Sequence, residues 1–156
     1  LSLDPGFTKA HYRLGVVYLA AGQWPNAIYH LRETVKGNEK NEQAHFYLGQ
    51  VLVRLDSLVE GMGHYRIALE LAPTMVEAHF NLATELLKQG QHAAALSHFE
   101  QAVLWAPEVP EMRNNLGIAL GQLGRYEEAA REFSRALELR PDYEDARRNL
   151  AALRPP

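Results

Sequence analysis

Six of the seven histidines recur at a fixed interval of 34 residues, in two columns: His11, His45, His79 and His30, His64, His98. Imidazole is the commonest metal ligand, so a metal site is the first chemistry these residues suggest. The spacing argues against it. Packed helices sit about 8–10 Å apart, whereas an ion in a tetrahedral site needs every ligand atom about 2.0 Å away. A column is therefore a line and not a cluster; two neighbouring histidines could share an ion, three could not. The two columns fall on different helices, and the second is expected to face solvent. No metal site is assigned.

Three asparagines recur at the same interval: Asn81, Asn115 and Asn149. A carboxamide offers one acceptor and two donors, so it can pair with both groups of a peptide unit. A row of them can hold an extended backbone without reading its sequence; the alternative is that they bond neighbouring helices or water. Signals for catalysis are poor. Cysteine is absent, which removes thiolate nucleophiles and thiolate metal sites. There is no strand pattern to precede a phosphate-binding loop. Glu127 and Glu128 open a helix, where carboxylates suit the positive end of its dipole. Ser97 and Ser134 have no base oriented by a third group. Arg131, Arg135 and Arg140 lie beside Glu132 and Glu138, as expected of i,i+4 pairs on a solvated face. The chain reads as a binding protein, with neither enzymatic activity nor a cofactor.

The interval of 34 also organises the apolar residues. Leu14, Leu48, Leu82, Leu116 and Leu150 share one column; the next holds Gly15, Gly49, Ala83, Gly117 and Ala151. Ala27, Gly61, Ala95 and Ala129 align, as do Leu31, Tyr65, Phe99 and Phe133. Within a unit these residues fall at three- and four-residue steps, which is helix spacing. Small columns let two helices approach while an aromatic or Leu fills the space beside them. Pro5, Pro73, Pro107 and Pro141 punctuate the units, because proline cannot continue a helix. Thr74 and Glu77 have the form of a capping box. The pattern predicts helices over 8–21, 24–36, 42–55, 58–71, 76–89, 92–105, 110–123, 126–139 and 142–153. Gly61 and Gly63 should make 58–71 the least stable of them, since each helical glycine costs roughly 1 kcal/mol relative to alanine.

Bulk composition agrees with a folded chain of one ordinary domain: 156 residues, 47% hydrophobic, 22% charged, net charge -3. That charge offers no footprint for nucleic acid. No apolar run is long enough for a membrane span, and no signal peptide is evident. A soluble chain is expected, with the cytoplasm as the default compartment.

A repeat of this length with a Leu-Gly pair, a later Ala, an aromatic and a closing Pro resembles the tetratricopeptide family. Asn115-Leu116-Gly117, Ala129, Phe133, Ala136 and Pro141 carry the resemblance most fully. Two features depart from it: His11, His45, His79 and Arg113 replace an aromatic, and Gly61 and Gly63 stand where helix formers are usual. The resemblance implies an all-α fold, a right-handed superhelical αα solenoid with a C-terminal capping helix. Its units would be 8–41, 42–75, 76–109 and 110–143, with 144–156 as capping helix and tail. Leu1 to Phe7 match the close of a repeat, which suggests a fragment beginning at the end of a preceding one.

In this family the first helix of each hairpin lines a concave, ligand-binding side. The resemblance then places Tyr12, Arg13, Tyr47, Gln50, Asn81, Thr84, Lys88, Asn114, Asn115 and Asn149 on that side. The asparagine row is similar to the ladders of O-GlcNAc transferase and of the peroxisomal targeting-signal receptor. Tyr12, Phe46, Tyr47 and Phe80 add an aromatic patch, with packing between first helices as the alternative for the two phenylalanines. The cations that chaperone adaptors use to clamp a C-terminal carboxylate are missing. The implied function is a protein-interaction module holding a peptide or partner surface. Two alternatives stand beside it: the substrate-recognition arm of a larger enzyme such as a glycosyltransferase, and a scaffold self-associating through its N-terminal hairpin.

Overall fold

The structure, a computed structural model, describes residues 5–153. Among them are nine helices and no strand: α1 (Pro5–Ala20), α2 (Trp24–Gly37), α3 (Glu42–Arg54), α4 (Leu58–Leu71), α5 (Val76–Lys88), α6 (His92–Trp105), α7 (Pro110–Gln122), α8 (Tyr126–Leu139) and α9 (Glu144–Ala152). The fold is an all-α helical-repeat solenoid. All nine helix ends and eight of the nine starts fall within two residues of expectation. The exception is the start of α1, at Pro5, where proline's fixed φ and missing N–H suit a first helical turn. Of the stretch Leu1–Phe7 read as a preceding element, residues 1–4 lie outside those described, and Pro5, Gly6 and Phe7 belong to α1. α5 opens at Val76, one residue later than a cap at Thr74 would start it.

Within each hairpin the chain turns at one position in the left-handed region: Gly22, Asp56, Gly90 and Gly124, with φ of 70°, 63°, 73° and 76°. Glycine reaches this conformation without strain; Asp56 is the one L-residue asked to do so. Asn41 caps α3, its side chain accepting from the Ala44 amide at 2.9 Å.

The described residues form two compact units, one ending at Ala78 and the other beginning at His79. In the first, α1 packs on α2, α2 on α3 and α3 on α4. Ala27, Leu31, Ala44, Leu48, Val51 and Leu52 are its buried centre, and Tyr12, Tyr18, Trp24 and Ile28 pack around them. Each buried Leu contributes about 1.5–3 kcal/mol by leaving water. The small columns act as the spacing suggests. A Cβ on Gly15 would lie 2.8 Å from Leu31, and one on Gly49 2.8 Å from both the Gly61 carbonyl oxygen and the Tyr65 ring.

In the second unit α7 packs on α6 and on α8, and α9 on α8 and α7. Phe99 and Phe133 are buried beside Ala95, Ala102, Ala129 and Ala136. A Cβ on Gly117 would reach the Phe133 ring at 2.6 Å. α9 buries Ala146 and half-buries Leu150, while Glu144, Asp145, Arg147 and Arg148 stay exposed. Arg147 pairs with Glu144 and Arg148 with Asp145 on that outer face.

Candidate functional site

The first helices of the first unit carry Tyr12 and Arg13 on α1, and Tyr47 and Gln50 on α3. The Tyr12 and Tyr47 rings are tilted neighbours, their centroids 6.4 Å apart. Both are half-buried against the core, whereas Arg13 is exposed. Burial pushes the Tyr12 phenol above its ordinary value, and the nearby Tyr47 and Glu42 push the same way. Phe46 is buried and touches Tyr47 and Tyr65, at 5.3 and 5.9 Å between centroids. It packs as core, the alternative expected for it.

In the second unit Phe80 sits edge-on to Phe99 at 5.9 Å. The Thr84 hydroxyl donates to the Phe80 carbonyl at 2.8 Å, within its own helix. Asn81 is half-buried on the same helix. Lys88 reaches solvent yet pairs at 2.7 Å with Glu85, a buried carboxylate that sequence reasoning missed. Asn114, Asn115 and Asn149 come together. Asn149 Nδ2 donates to Asn114 Oδ1 at 2.9 Å, and Asn114 Nδ2 contacts Asn115 Oδ1 at 3.4 Å. Asn114 is the buried member; Asn115 and Asn149 are half-buried.

The histidine columns differ from expectation. The second column is half-buried, and each member meets one of the first. Nδ1–Nδ1 distances are 2.9 Å for His11–His30, 2.9 Å for His45–His64 and 2.9 Å for His79–His98. Every pair spans 19 residues, from the first helix of a hairpin to the second. The antiparallel return after the turn brings these positions level, a relation invisible when the columns are read one at a time. In the last hairpin the same separation joins Arg113 to Glu132, a half-buried ion pair at 2.8 Å. Among the described residues no group of three or more His, Asp or Glu could hold a metal ion.

The arginines of α8 also pair differently from an i,i+4 scheme. Arg135 meets Glu138 three residues on and Glu108 before α7, at 2.8 and 3.5 Å. Arg140 crosses to Glu111 on α7 at 2.5 Å. These exposed contacts each contribute about 0–1 kcal/mol.

No helix among the described residues is long and apolar enough to cross a membrane. Comparison with known proteins places this geometry in a family. No curated protein sequence matches the chain. Among solved structures, a MamA protein superposes with a TM-score of 0.88 at 15% identity, over 96% of this chain and 82% of that one. MamA from Desulfovibrio magneticus RS-1 gives 0.88 at 21% identity, over 98% and 85%. A further MamA, AMB-1, gives 0.85 at 23%, over 96% and 82%. These likenesses speak to fold. The tetratricopeptide repeat model matches residues 12–76 and again 80–144, most of the sequence. The chain therefore belongs to the tetratricopeptide repeat family.

Proposed function

We propose that this chain is a protein-interaction module whose first-helix face binds a peptide segment of a partner. The observation that carries the reading is the Tyr12–Tyr47 pair, half-buried on adjacent first helices beside the exposed Arg13. A tyrosine held by its ring and open at its edge suits a binding hot spot, because ordering it on binding costs little. Asn115 and Asn149 extend the reading to main-chain recognition. Each amide has more hydrogen-bonding capacity than its contact with Asn114 uses. Within the second unit Asn81 and Asn115 would hold backbone groups of a bound segment; within the first the tyrosines would take an apolar anchor.

The test is selection of binding peptides from a random display library, followed by affinity measurements on variants. Tyr47→Ala should weaken a selected peptide by roughly tenfold or more, the loss of a hot-spot residue. Asn81→Ala with Asn115→Ala should weaken peptides selected on the second unit's face irrespective of their sequence. Unchanged affinity in both variants removes the groove from consideration.

A second reading, self-assembly, draws on Phe7, Leu14 and Val17 of α1 and Tyr29 of α2. These apolar residues are exposed, Val17 by 61%, and clustered apolar exposure marks contact surfaces. Sedimentation of wild-type and Val17→Asp chains over a wide concentration range separates the readings. A wild-type chain that stays monomeric throughout excludes self-assembly through this face.

A further inference from the structure

The histidine pairs have the geometry of a shared proton and not of a metal chelate. Two imidazoles meeting head-on through an N–H···N bond of about 2.9 Å have centroids about 5.2 Å apart, adding the two ring radii. The His11–His30 and His45–His64 centroids are 5.0 and 5.1 Å apart. An ion about 2.05 Å from both nitrogens at that N–N distance would sit at a right angle between them, with centroids near ~4.5 Å. The nitrogen lone pairs thus point at each other and do not converge beside the pair.

For His45–His64 the tautomers follow. His45 Nε2 lies 3.1 Å from the Glu39 carbonyl oxygen, which can only accept, so Nε2 carries the hydrogen. In neutral His45 the Nδ1 is then bare, and the proton between the rings belongs to His64 Nδ1. One further proton can enter at His64 Nε2 and leave both hydrogen bonds intact. A second has only His45 Nδ1 to go to, where it would face the His64 N–H at 2.9 Å. The His11–His30 pair obeys the same arithmetic: one proton fits between the rings, and two do not.

We propose that the His11–His30 and His45–His64 pairs are an acid-responsive device in the first two hairpins: each pair fastens its hairpin while it carries no more than one added proton, and releases it when both rings become cationic.

The surroundings reinforce the first state. His11 and His45 are buried, where a second uncompensated charge is costly. Around the first pair, Tyr18 of α1 stacks on His30, and Tyr29 of α2 meets both rings edge-on. Around the second pair, Glu60 of α4 and Arg32 of α2 act on His64 with opposite signs and are themselves paired at 2.7 Å. Burial, and then the partner histidine, hold His30 and His64 below the ordinary imidazole value; Arg32 adds to this at His64, and Glu60 opposes it. A depressed folded value stabilises the fold fully above the unfolded value of about 6.5, and this stabilisation is lost as pH falls through the folded value. The last hairpin carries Arg113–Glu132 at the same place. That pair contains no imidazole.

The experiment uses the 156-residue chain. Side-chain ¹⁵N correlation spectra from about pH 8 to about pH 4.5 should show each pair taking up two protons in separated steps, as coupled sites do. Amide exchange should show α1 to α4 losing protection during the second step while α7 and α8 retain it. The unfolding constant should rise roughly tenfold between about pH 7.5 and pH 5. Replacing both pairs with the last hairpin's solution (His11→Arg with His30→Glu, His45→Arg with His64→Glu) should abolish most of that rise. A milder variant, His30→Gln with His64→Gln, keeps a partner that cannot titrate and should do the same. One-step protonation of both rings with α1 to α4 still protected would overturn the proposal, and that measurement needs only the wild-type chain. An equal acid response in the wild type and in a folded variant would overturn it as well.

Discussion

Asn149 on α9 donates through Nδ2 to Oδ1 of Asn114 on α7, at 2.9 Å across the two helices. Asn114 is only 3% exposed and also contacts Asn115. It thereby ties the last helix to α7 by a polar contact. Asn114→Ala should cost about 0.5–1.5 kcal/mol, because it removes the buried partner of the half-buried Asn149 and Asn115 amides. Urea unfolding measures the loss. Asn114→Ala combined with Asn149→Ala should cost less than the sum of the single changes, as coupled residues do.

The two glycines of α4 should respond to alanine in opposite directions. A Cβ at Gly63 meets nothing within 4 Å, so Gly63→Ala should stabilise the chain by roughly 0.5–1 kcal/mol through helix propensity. A Cβ at Gly61 would lie 2.7 Å from the Val53 side chain and 2.9 Å from the backbone at Gly49 and Val53. Gly61→Ala should destabilise by about 1–3 kcal/mol, the usual consequence of overpacking. Thermal melts of both variants are the check.

Asp56 occupies the turn with φ of 63° where the other hairpins have glycine. Asp56→Gly should relieve about 1 kcal/mol of left-handed strain, partly offset by the greater freedom of glycine in the unfolded chain. A rise in the urea midpoint with an unchanged slope would show it.

The Tyr12 phenol is held above its ordinary value by burial, with Tyr47 and Glu42 adding to the effect. A raised folded value means that its contribution to stability is intact below about pH 10 and fades as pH climbs through the folded value. Absorbance titration of wild type against Tyr12→Phe should locate one tyrosine ionising later than a free phenol.

Much of the fold is legible in the sequence because one solution is written four times over. Leu48, Leu82 and Leu116 are each buried on an apolar helix face, Leu14 of the first hairpin being exposed, and the recurrence sets the helix boundaries closely. The start of α1 is less legible, since Pro5 looks like a terminator and also serves as a first helical residue. The histidine pairing is hidden for another reason. A column compares equivalent positions in different hairpins, whereas His11 and His30 meet inside one hairpin, through antiparallel geometry. Asn114 shows the same gap. Its neighbour Asn115 carries the repeating signal, but the contact with Asn149 depends on how α9 lies along α7.

At Gly49 and Gly61 the backbones of α3 and α4 nearly touch, and Tyr65 closes over the crossing. A side chain gained at either glycine would have to displace the ring or spread the two helices, whereas Gly63, two residues away, has open space. Tolerance to sequence drift should therefore change abruptly within a single turn of α4. Variants of this hairpin that survive random mutagenesis should keep both contact glycines and replace the third freely.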